Sequence, residues 1–79
     1  MFWYLVKISE DENTIIYSYG FDSREQTGEF SYNKKTKEIE ITKLADEDND
    51  IIVKKFFIPH IYKVIIDENA PAKRMIAIS

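Results

Sequence analysis

Residues 51–66 read Ile-Ile-Val-Lys-Lys-Phe-Phe-Ile-Pro-His-Ile-Tyr-Lys-Val-Ile-Ile, and the conformation of this stretch decides the architecture. Taken as a helix, it lines Val53, Phe57, Ile61 and Val64 along one face. Phe56, His60 and Ile65 flank that face, and Lys54, Lys55 and Lys63 lie off it. Pro59 opposes the helix. In an interior turn it removes one hydrogen bond and crowds the carbonyl of Lys55, at a cost of about 3 kcal/mol. The alternative is a strand over 51–57 and a short helix starting at Pro59, where proline suits the first turn. The expectation taken forward is the longer helix, kinked at Pro59, because one short helix covers a four-stranded sheet poorly. Asn49 or Asp50 can cap its start, and Asn69-Ala70-Pro71 ends it.

Upstream, the pattern is that of strands. Phe2 to Ile8 is a run of aromatic and β-branched residues, with Phe2, Tyr4, Val6 and Ile8 on one face and Trp3, Leu5 and Lys7 on the other. Both faces start apolar, which places this strand inside the sheet rather than at its edge. A polar turn over 10–13 leads to Thr14–Phe21, and the two strands read as an antiparallel hairpin. Gly28 to Asn33 forms a third strand. Asn33-Lys34-Lys35-Thr36-Lys37 supplies a second hairpin turn. Glu38 to Leu44 alternates Ile39 and Ile41 against Glu38, Glu40 and Thr42, so one of its faces meets water. Arg74 to Ser79 reads as a last short strand, Met75 and Ala77 against Ile76 and Ile78, able to pair beside the first. The order is ββββαβ: an α+β fold, an antiparallel sheet of four or five strands with one Pro-kinked helix packed on one face, in a single domain over 1–79.

At 79 residues the chain buries only about 60% of its unfolded surface. It has no cysteine, so neither a disulfide nor a thiolate metal site can assist. Stability must come from dense packing or from association, and thirteen isoleucines, five Phe, five Tyr and Trp3 supply the packing mass. The net charge of −3 argues against a dedicated nucleic-acid binder, which carries a basic face. No apolar run approaches the roughly 18 residues of a membrane span, and the apolar start lacks the basic flank of a signal peptide. The expectation is a cytoplasmic protein with no membrane partner.

Gly28-Glu29-Phe30-Ser31-Tyr32-Asn33-Lys34-Lys35-Thr36-Lys37-Glu38-Ile39-Glu40-Ile41, with the acidic run after it and the ending Ala70-Pro71-Ala72-Lys73-Arg74-Met75-Ile76-Ala77, resembles a family of small uncharacterised bacterial proteins. That resemblance covers most of the chain. It implies a small α+β fold and transfers no catalytic residue.

The chemistry-bearing residues are sparse. Asp46, Asp48 and Asp50 alternate like the first carboxylates of a calcium loop, but Ile51 stands where that loop needs Gly and Phe57 where it needs a bidentate Glu. A solvated turn with a helix cap explains the run better. His60 is the only histidine, with no cysteine to complete a zinc site. Glu38 and Glu40, on a wet strand face, lack the desolvation that sets apart an acid and a base. No catalytic residue, cofactor or metal is expected. Lys34, Lys35 and Lys37 form a basic hairpin tip which, with Tyr17, Tyr19 and Tyr32, outlines a weak candidate nucleic-acid contact. A small ligand between the sheet and His60 is a further alternative. The main surplus is apolar: Trp3, Leu5, Ile51, Ile52, Ile58, Ile65 and Ile66 exceed what so small a core holds beside its main stripe. They read as an interface, in a non-catalytic adaptor or regulatory module that binds a protein partner or forms a homo-oligomer.

Overall fold

A computed structural model describes residues 1–77. Five strands, β1 (Phe2–Glu10), β2 (Thr14–Phe21), β3 (Gly28–Asn33), β4 (Glu38–Lys43) and β5 (Lys73–Ala77), form one sheet in the order β4-β3-β2-β1-β5. Every neighbouring pair is antiparallel. The order along the chain is ββββαβ, as the patterning indicated. The first strand runs two residues further than its apolar pattern, past a bulge between Lys7 and Ser9. Ile78, assigned to the last strand from sequence, lies outside the described residues.

The turns use the chemistry of their residues. Asp11 Oδ1 accepts from the backbone N–H groups of Asn13 and Thr14, each at 2.8 Å, and closes the first hairpin. Asn33 Oδ1 does the same for Lys35 and Thr36 in the second, at 2.9 and 3.1 Å.

Between β4 and β5 runs a single helix in three consecutive segments: α-helical Asp50–Ile52, π-helical Val53–Phe57 and α-helical Ile58–Ile66. Asn49 is the N-cap, its side chain accepting from the Ile52 N–H at 2.9 Å, a cap of the kind that contributes about 1 kcal/mol. The π segment resolves the Pro59 conflict. The Ile58 N–H reaches back five residues to the Val53 carbonyl, so the turn before the proline is wider than an α-turn. Pro59 then falls in the first turn of the following α segment, where a missing N–H costs little. Of the two alternatives in the sequence the longer helix is the one that forms: residues 51–57 are helical rather than a strand, and a π turn precedes the proline.

One face of the sheet and one face of the helix enclose the core. Trp3, Leu5, Tyr17, Tyr19, Phe30, Val53, Phe57 and Ile61 are fully inaccessible to solvent. Phe57 is its centre, with its ring 4.8 Å from those of both Trp3 and Tyr19 and edge-on to Phe30 at 5.9 Å. Gly28 pairs with Tyr19 across β2 and β3. A Cβ there would stand 2.5 Å from the Tyr19 ring, so glycine makes the space that the ring fills.

Candidate functional site

Three buried aromatic side chains carry polar tips, and each fixes a loop that holds the helix. The Trp3 indole N–H donates to Asp48 Oδ2 at 2.8 Å, just before the helix. The Tyr19 hydroxyl accepts from the Ala45 N–H at 3.1 Å on the same approach. The Tyr17 hydroxyl donates to the Pro71 carbonyl, beyond the helix. Burial raises both phenols to about 12, so they stay protonated. Partial burial also lifts the Asp48 carboxyl above the usual aspartate range, against the pull of the Trp3 hydrogen bond. The outer face of the helix is therefore presented on a fixed frame. These anchors were not foreseen from sequence, although a polar-tipped aromatic on the inner face of a strand is itself the signal.

The structure divides the apolar surplus. Trp3 and Leu5 are wholly buried and Ile65 nearly so, so these three belong to the monomer's own core and are corrected from interface to core. The physical reason is room: Gly28 admits the Tyr19 ring, and Asp48 satisfies the Trp3 indole, so the core holds more than its length suggested. Ile52 and Ile58 are half-buried. Ile51 and Ile66 stay outside, 77% and 61% exposed, joined by Phe56 at 42%, which the sequence had placed only beside the buried stripe.

Along the helix, Ile51, Lys55, Pro59 and Ile66 recur at helical spacing and are all exposed, opposite the buried Val53, Phe57, Ile61 and Val64. Lys63 and Phe56 border this outer stripe. Lys54 pairs with Asp50 at 3.0 Å. Lys55 lies over the Phe56 ring at 5.6 Å, and among the described residues neither Lys55 nor Lys63 has an acidic partner. His60 Nδ1 lies 2.8 Å from the Phe56 carbonyl, which can only accept, so Nδ1 carries the proton in that contact.

The basic hairpin tip is less free than its sequence implied. Lys34 reaches back 2.8 Å to Glu10, which also holds Lys7 at 2.6 Å. Tyr17, Tyr19 and Tyr32 point under the helix, so the rings that would stack bases are inside. Glu10 is pulled down to about 2 from 4.5, first by the Lys34 hydrogen bond and then by that of Lys7. Its folded value lies below its unfolded one. The stability it contributes is thus present above about pH 4.5 and lost as pH falls toward 2. Replacing Lys34 with Gln is expected to move the Glu10 carboxyl titration upward in an NMR pH series. An unmoved midpoint would show that this contact does not form in solution.

The acidic run after β4 is not gathered into a ligand set. Asp48 serves Trp3 and Asp50 serves Lys54. Among the described residues no group of three or more His, Asp or Glu side chains is placed to hold a metal ion. Open depressions on the surface of the described residues include two of moderate size. One, of about 290 Å³, is bounded by Phe21, Ser23, Glu25, Thr27, Asp46 and Glu47. The other, of about 530 Å³, is bounded by Thr14, Ser31, Asn33, Thr36, Glu38, Ile39 and Glu40. His60 borders neither. No described helix is long and apolar enough to cross a membrane. Comparison with protein families, curated proteins and solved structures finds no match to the chain.

Proposed function

We propose that the chain is a small non-catalytic protein-interaction module, of the adaptor or regulatory kind. It works by associating with another protein chain, a second copy of itself included, through the outer face of the helix. One observation carries this reading. The monomer's core is already filled by the inner stripe of the helix, yet Ile51, Phe56 and Ile66 remain outside it. A helix apolar on both sides is one that expects a second cover.

A photo-reactive residue in place of Ile66, introduced in the source cell, tests this directly. Covalent adducts are expected from position 66, with none from the exposed turn residue Glu12, and an added Ile51→Asp substitution should abolish them. Absence of adducts at position 66, together with a purified protein that stays monomeric by light scattering at high concentration, would remove the proposal. Trp3 is unsuitable as a probe of association, because a charge in its buried place would unfold the domain.

A further inference from the structure

We draw no further inference here: the strongest candidate, the exposed apolar stripe of Ile51, Phe56 and Ile66 on the outer face of the helix, belongs to the site already described, and nothing in the structure shows what covers it.

Discussion

Replacing Phe57 with alanine is expected to cost about 3–5 kcal/mol, the range for deleting a buried aromatic ring. A domain of this length has about 4–12 kcal/mol of stability in all, so the variant should be largely unfolded or close to it at 37 °C. The large effect follows from position. Phe57 is fully buried and touches the rings of Trp3, Tyr19 and Phe30, which belong to three different strands. Removing it opens a cavity where the helix meets all three, and rigid strands cannot collapse into it. Urea unfolding monitored by Trp3 fluorescence measures the loss. A decrease below about 1 kcal/mol, the cost typical of an average substitution, would mean that the helix does not seat on the sheet as described.

Gly20→Ala is expected to cost about 1–3 kcal/mol by overpacking, although it adds only a methyl group. Gly20 pairs with Tyr4 on the face of the sheet away from the helix, where the connection over 22–27 folds back across it. A Cβ at this position would stand 2.1 Å from the Glu25 carbonyl oxygen and 2.5 Å from that of Ser23. Both are backbone atoms, so no side chain can swing aside and the connection itself must lift. That would release Arg24 from the Tyr4 ring, 5.7 Å away, and Gln26 from the Ser18 hydroxyl at 2.9 Å. The expected signature is a lower urea midpoint with faster amide exchange confined first to 22–27. Unchanged exchange in that segment would show that it does not rest on the sheet.

The strands were legible because each carries period-two alternation closed by a turn residue with its own hydrogen-bonding reason, as Asn33 shows. The helix was legible in extent but not in form. Val53, Phe57, Ile61 and Ile65 are spaced four apart throughout, a longer period than 3.6, and that regularity is what one wider turn accommodates. The proline was read as a kink because residue type alone does not show where an extra residue enters a turn. The candidate interface was half legible. Ile51 and Ile66 could be placed outside from spacing alone. Trp3 and Leu5 could not be placed inside, because that depends on Gly28 lying opposite Tyr19 and on Asp48 reaching the indole, and both are long-range facts of register.

The helix thus has two apolar sides with different tasks, one completing the core and one left over. The most direct test of that division is the equilibrium stability of an Ile51→Ser, Ile66→Ser double variant. If the outer stripe serves a partner, stability should stay within about 0.5 kcal/mol of the parent, as for surface positions, while adducts at the helix are lost. A fall of about 2 kcal/mol or more would mark these residues as part of the fold, and would contradict the assignment of this face to an interface.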